Sequence, residues 1–107
     1  MELAGLFSPP YYAVIFSSVR TEVEDGYAEM AAEMERLGSE QPGFLGLDSA
    51  RSGVGITVSY WRTLEDLQAW KQVARHRVVQ QKGREQWYER YVTRVARVEY
   101  EYGFGGG

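Results

Sequence analysis

The chain reads as one α+β domain with the element order β-α-β-β-α-β, and three observations carry that reading. Runs rich in aromatic and β-branched residues, several with two-residue alternation, occupy 11–20, 44–51, 54–61 and 91–102. Two segments with the 3.6-residue apolar stripe of amphipathic helices fall between them, one after the first strand and one after the third. The length of 107 residues and the 44% hydrophobic content support one core and leave no room for two.

Taken in order, Ser8-Pro9-Pro10 ends a loose N-terminal arm, residues 1–10, because consecutive prolines disfavour helix and central strand alike. The first strand, Tyr11 to Arg20, is apolar on both alternating faces. Tyr11, Ala13, Ile15 and Val19 line one, and Tyr12, Val14 and Phe16 the other. Such a strand needs cover on both sides. Thr21 and Glu24 fit a capping box for the first helix, whose stripe is Val23, Tyr27, Met30, Met34 and Leu37, with Gly38 as its stop. The same N-terminus accounts for Glu22, Glu24 and Asp25 through the helix dipole.

Gln41-Pro42-Gly43 predicts a turn, and Ser52-Gly53 a tight hairpin between the second and third strands. Thr63 with Asp66 opens the second helix; Leu64, Leu67, Trp70, Ala74 and Val78 form its stripe, and Gly83 closes it. A helical turn is expected around Glu85 to Arg90. The last strand runs from Tyr91 to Tyr102, so the domain spans 11–102, and 103–107 is a flexible glycine-rich tail. This order is the ferredoxin-like arrangement, a four-stranded antiparallel sheet with two helices on one face. The uncovered face keeps apolar residues. Sheet-to-sheet packing of two copies into a dimeric α+β barrel is its simplest cover.

Composition narrows the function. A net charge of −3 argues against general nucleic-acid binding. The absence of cysteine removes disulfides, thiolate metal sites and a Cys nucleophile together. Met1 to Pro10 lacks the features of a signal peptide, and no run approaches the ~20 apolar residues that cross a bilayer. The expected location is the cytoplasm, with no membrane partner. No His/Asp/Glu spacing suggests a metal, and no glycine-rich loop follows a strand, so no cofactor is expected.

Gln41-Pro42-Gly43-Phe44 before the second strand, and the run from Ser59-Tyr60-Trp61-Arg62-Thr63 to Leu67-Gln68-Ala69-Trp70, resemble the antibiotic biosynthesis monooxygenase family over roughly Tyr11 to Tyr102. The resemblance implies a dimeric α+β barrel. In some members it implies oxygenation of a polycyclic aromatic without metal or flavin, the deprotonated phenol passing electrons to dioxygen. The haem-degrading branch carries an Asn on the first strand and a His ten residues after a helix-two Trp. Here the chain has no Asn, and Gln80 stands ten residues after Trp70.

His76 is the only histidine and the candidate general base or hydrogen-bond donor; the plain alternative is a surface residue between Arg75 and Arg77. It lies six residues after Trp70, about 120° away in helical rotation, so the two share a cavity only if the helix bends near Val73 to Arg75. Trp70 matches a family position near the ligand cavity and is paired with His76 as the catalytic candidate. Tyr60, Trp87 and Arg77 are candidate substrate-binding residues, the aromatics as pocket walls. Tyr60 and its neighbour Trp61 point to opposite faces of their strand, one toward the helices and one toward the dimer interface. The plain alternative for each aromatic is core packing. For the cations Lys71, Arg75, Arg77, Lys82 and Arg84 it is a solvated face near a helix C-terminus. The function expected is cofactor-independent monooxygenation of an aromatic or quinol-like molecule by a homodimer. The alternative is a non-catalytic dimeric module binding a hydrophobic ligand or a protein partner.

Overall fold

Strand β1 (Tyr11–Arg20) lies inside a four-stranded antiparallel sheet of order β2-β3-β1-β4, with β2 (Phe44–Ser52), β3 (Val54–Trp61) and β4 (Tyr88–Val98). Helices α1 (Tyr27–Ser39) and α2 (Leu64–Gln81) cover one face, and a single helical turn, α3 (Arg84–Trp87), leads into β4. The computed structural model describes residues 2–81 and 84–105, and of residues 78–81, 84 and 85 the backbone alone. The expected closure at Gly83 and the burial of Val78 lie outside that description.

The covered face is read off the ladder registers, since residues opposite one another share a face. Tyr12 pairs with Trp61, Val14 with Ser59, Phe16 with Thr57 and Ser18 with Gly55. At the Tyr12 end of this face Val14, Trp61 and Leu67 form the core, with Tyr12, Phe44 and Trp70 packed on it. Trp61 is wholly enclosed, and its indole N–H donates to Ser59 Oγ at 2.9 Å.

The start of α2 forms as its sequence directs. The Asp66 N–H donates to Thr63 Oγ1 at 3.0 Å and the Thr63 hydroxyl donates to Asp66 Oδ2 at 2.8 Å. This box meets the Gln41-Pro42-Gly43 turn. Gly43 has φ +80, and a Cβ there would lie 2.1 Å from the Asp66 carboxylate. Its carbonyl accepts the Arg62 N–H at 2.7 Å. A left-handed glycine is what lets the turn seat against the helix start.

The capping box expected at Thr21 and Glu24 does not form. The Thr21 hydroxyl donates to the Gln86 carbonyl and the Thr21 N–H to the Trp87 carbonyl, tying the end of β1 to α3. The Thr21 Oγ also accepts the Val23 N–H at 3.2 Å, closing a short turn rather than capping a helix, and α1 begins only at Tyr27, after Gly26 at φ 81. Val23, assigned to the helical stripe, therefore sits outside the helix and is exposed.

The last strand is displaced from 91–102 to Tyr88–Val98. Tyr88 joins the sheet opposite Arg20 across a bulge, while the chain beyond Val98 leaves the ladder. There Glu101 accepts the N–H groups of Phe7 and Ser8 and the Tyr11 hydroxyl. The N-terminal arm is consequently not loose. Arg62 donates to the carbonyls of Phe7, Ser8 and Pro10, and the Phe7 ring packs on Tyr11 and Tyr60 at 5.5 and 5.7 Å. Much of the second cover for β1 thus comes from the chain itself, and Tyr11 and Ala13 are buried without a partner. Val54 and Ile56, at the far end of that face, remain exposed.

Candidate functional site

The opposite, Arg20 end of the helix-covered face gathers rings and guanidinium groups rather than aliphatic packing. Phe16 from β1 contacts Tyr88 and Tyr91 from β4, with ring centroids 5.6 and 5.3 Å apart. Tyr88 contacts Tyr91 at 5.8 Å and Tyr27 of α1 at 5.9 Å. The bulge at Val19 and Arg20 turns Tyr88 onto this face, and the two-residue alternation of β1 places Phe16 and Ser18 there. Phe16, Tyr27 and Tyr88 are half-buried, and Tyr91 is exposed. The edge-to-face geometries suit ring quadrupoles and leave a ring surface toward solvent at Tyr91.

Two arginines border these rings. Arg20 stands over the Tyr27 ring, 3.3 Å from guanidinium carbon to centroid. Its Nε donates to the Trp87 carbonyl at 3.1 Å and its Nη2 to the Val23 carbonyl at 2.7 Å. Arg51 starts on the edge strand β2 and crosses β3 to donate to Ser18 Oγ at 2.5 Å. Burial, and then the hydrogen bond and negative potential of Tyr27, push the Tyr88 phenol well above its ordinary range, while Arg51 and Arg20 pull it down. Tyr88 is therefore a protonated hydroxyl at neutral pH, and both guanidiniums lie within electrostatic reach of it.

The sequence-predicted residues are placed as follows. Trp70 stacks on Trp61, with centroids 5.8 Å apart and planes at 18°, and its far side abuts Gly38 of α1. Trp87 is buried, donates its indole N–H to the Asp25 carbonyl at 2.8 Å and packs on Tyr27. Tyr60 points to the other sheet face, as its alternation with Trp61 requires. There its hydroxyl donates to Asp48 Oδ2 at 2.8 Å, and burial followed by Asp48 raises its pKa to about 12. His76 is exposed and lines a surface groove with Leu37, Gln72, Val73 and Arg77; Arg77 is ion-paired to Glu33 of α1. Helix α2 runs unbroken through Val73 to Arg75, and the groove that His76 lines does not include Trp70. The chain does not bring those two side chains into one closed space. Lys82 and the Arg84 side chain lie outside the described residues.

Phe16, Arg20, Tyr27, Arg51 and Tyr88 were not signalled by any local motif. The one cue is the density of rings in Trp87-Tyr88-Glu89-Arg90-Tyr91. Among the described residues no group of three or more His, Cys, Asp or Glu side chains is placed to hold a metal ion. No helix among them is long and apolar enough to cross a membrane.

Comparison with known proteins gives a consistent context. YqjZ of Bacillus subtilis (strain 168), an uncharacterized protein, is 50% identical over 93 residues, 85% of this chain and 82% of its own length. SnoaB, a cofactor-independent oxygenase from Streptomyces nogalater, superposes with a TM-score of 0.66 at 7% identity, covering 92% of this chain and 100% of its own. A dimeric ferredoxin-like protein from an uncultured marine organism does so with a TM-score of 0.67 at 8% identity, covering 91% and 95%. At such identities the two structures speak to the ferredoxin-like fold alone. Residues 10–82 match the family model described as antibiotic biosynthesis monooxygenase. With that match across most of the domain, and a relative sharing half its residues, this chain is a member of the antibiotic biosynthesis monooxygenase family.

Proposed function

We propose that the protein is a monooxygenase that oxidises a planar aromatic or quinol-like molecule, seated against Tyr88 and Tyr91 at the Arg20 end of the helix-covered face. The observation that carries this reading is the assembly of four rings beside two guanidinium groups there. Rings stack on flat ligands, and the two cations favour the ionised form of a phenolic substrate. An ionised quinol or phenol is itself the reductant for dioxygen. One oxygen atom enters the ring system and the other leaves as water, with both electrons drawn from the substrate, so the route calls for no metal or flavin. The protein's part is to bind the ring, lower its phenol pKa and limit water. The description of SnoaB as a cofactor-independent oxygenase supports the same chemistry.

In this reading Trp87 shapes the site by packing on Tyr27, Trp70 and Tyr60 serve the packing of the Tyr12 end and of the other sheet face, and His76 stays in the α1–α2 groove, away from the ring. We also propose a homodimer formed through the sheet faces that carry Val54 and Ile56, in line with the dimeric ferredoxin-like structural neighbour. The test is oxygen consumption with a panel of quinols and polycyclic phenols, run beside a binding titration. Turnover abolished by Tyr91→Ala and Phe16→Ala but retained within about twofold by His76→Ala is the expected result. Binding without oxygen uptake across the panel would replace the enzyme with a ligand-binding module. No binding at all would remove the site.

A further inference from the structure

One row of the covered face runs across all four strands: Arg51 on β2, Gly55 on β3, Ser18 on β1 and Tyr91 on β4. Its two middle residues are buried and among the smallest available, which leaves a trough between the outer pair, whose strands stand three spacings, or roughly 14 Å, apart. The Arg51 side chain fills that trough from one side. A Cβ on Gly55 would lie 2.2 Å from the guanidinium carbon and from Nη2, so the guanidinium rests directly on the glycine backbone. The far end is pinned by Ser18, whose Oγ accepts from Nη2 at 2.5 Å and whose carbonyl accepts from Nη1 at 3.4 Å. A guanidinium has five N–H donors in a planar fork. Here two of the five go to the buried Ser18, which fixes the plane of the fork over the row, and the group is in no salt bridge among the described residues. A surface arginine kept only for solubility would not need a glycine beneath it and a buried hydroxyl to hold it.

We propose that Arg51, laid across Gly55 and oriented by Ser18, is the specificity residue for a ring-borne oxyanion, so that the ligand is a planar aromatic carrying a carboxylate or phenolate at its edge. This rests on the reading that the ring seats against Tyr91 and Tyr88, and names what the ligand must carry. Arg51, held at Ser18 by one N–H of each Nη, presents its remaining N–H groups to an oxyanion in plane, while Arg20, donating through Nε and Nη2 to two backbone carbonyls and lying on the Tyr27 face, supplies charge. Gly55 sets the height of the fork above the sheet and Ser18 its direction.

The test is calorimetric titration of the full chain with naphthoate and with the neutral naphthalenemethanol, at low and high salt. The wild type is expected to bind naphthoate about tenfold more tightly at low salt, with the preference reduced at high salt. Arg51→Gln removes the preference, so that naphthoate binds no more tightly than naphthalenemethanol. Arg51→Lys, which keeps the charge and loses the fork, restores only part of it. Gly55→Ala behaves like Arg51→Gln, and thermal unfolding verifies that each variant is folded. Equal wild-type affinity for the two ligands, or a preference that survives Arg51→Gln, overturns the assignment while leaving the ring seat intact. Failure of the wild type to bind either ligand overturns both.

Discussion

At the Tyr12 end of the helix-covered face, Trp61 and Leu67 are enclosed and Phe44, Trp70 and Tyr12 close around them. At the Arg20 end of the same face, the small residues Gly55 and Ser18 stand where bulky ones would complete the packing. The rings above them keep hydroxyls and a solvent-facing surface, and two arginines replace aliphatic neighbours. The strands are the same; the side chains differ in what they leave unfinished. A saturated end contributes stability and has nothing to offer a ligand, while the unsaturated end gives up packing and gains recognition.

Substitutions can break that contrast. Trp61→Ala empties the saturated end and is expected to cost about 3–5 kcal/mol, a large share of the stability of so small a domain, seen as a lowered urea midpoint. Tyr91→Ala at the other end should cost under about 1 kcal/mol because the ring is exposed, yet abolish binding of the aromatic ligand. If the two variants were equally destabilised, the distinction between the ends would collapse. Gly43→Ala should cost about 1–3 kcal/mol, since it strains a left-handed residue and drives a methyl group into Asp66. Thr63→Ala, which removes the helix cap alone, should cost about 1 kcal/mol by thermal unfolding.

The smallest effect is in pH. Burial, then Glu101, pushes the Tyr11 phenol up to about 12, and burial, then Asp48, does the same for Tyr60. Their folded pKa values exceed the unfolded value near 10, so their contribution is complete below about pH 10 and lost as pH rises toward 12. Desolvation raises the Glu101 carboxyl, but hydrogen bonds from Tyr11, Phe7 and Ser8 and the charge of Arg62 outweigh it and leave its pKa lowered. Its contribution is present above the ordinary carboxylate range and is lost as pH falls through the folded value. Tyr60→Phe should flatten the alkaline limb of the stability profile without moving the acid one.

How much of this was legible depended on the distance over which each decision is made. The bounds of β1 and β3 and the opposite orientations of Tyr60 and Trp61 follow from local alternation. The Thr63 and Asp66 cap is a contact three residues long. Thr21 carries the same local signal and misleads, because the Gln86 carbonyl, 65 positions away, holds it at the end of β1, where its Oγ closes a turn on Val23 instead of opening a helix. The arm looks unanchored for the same reason, since Phe7 is held by Glu101 at a separation of 94. The Arg20 end was hidden most completely. Arg51, Gly55, Ser18 and Tyr91 align only when three ladders settle in register, and no single segment carries that information. His76 and Trp70 drew notice as rare residue types in one helix, yet Trp70 packs on Trp61 while His76 lines a surface groove.

The Glu101 and Arg62 brace has a topological consequence. Residues 7 and 8 are stitched to residue 101 by their own backbone N–H groups, so the stretch from 7 to 101 is already nearly a closed circle on that side of the sheet. A short linker joining arm to tail would ask little of the structure. Fresh ends opened at Gly53, where a side chain would meet open space, would cut no strand. Such a circular permutant should fold with every ladder preserved, and with the β2–β3 hairpin turned from the most local contact in the sheet into the most remote.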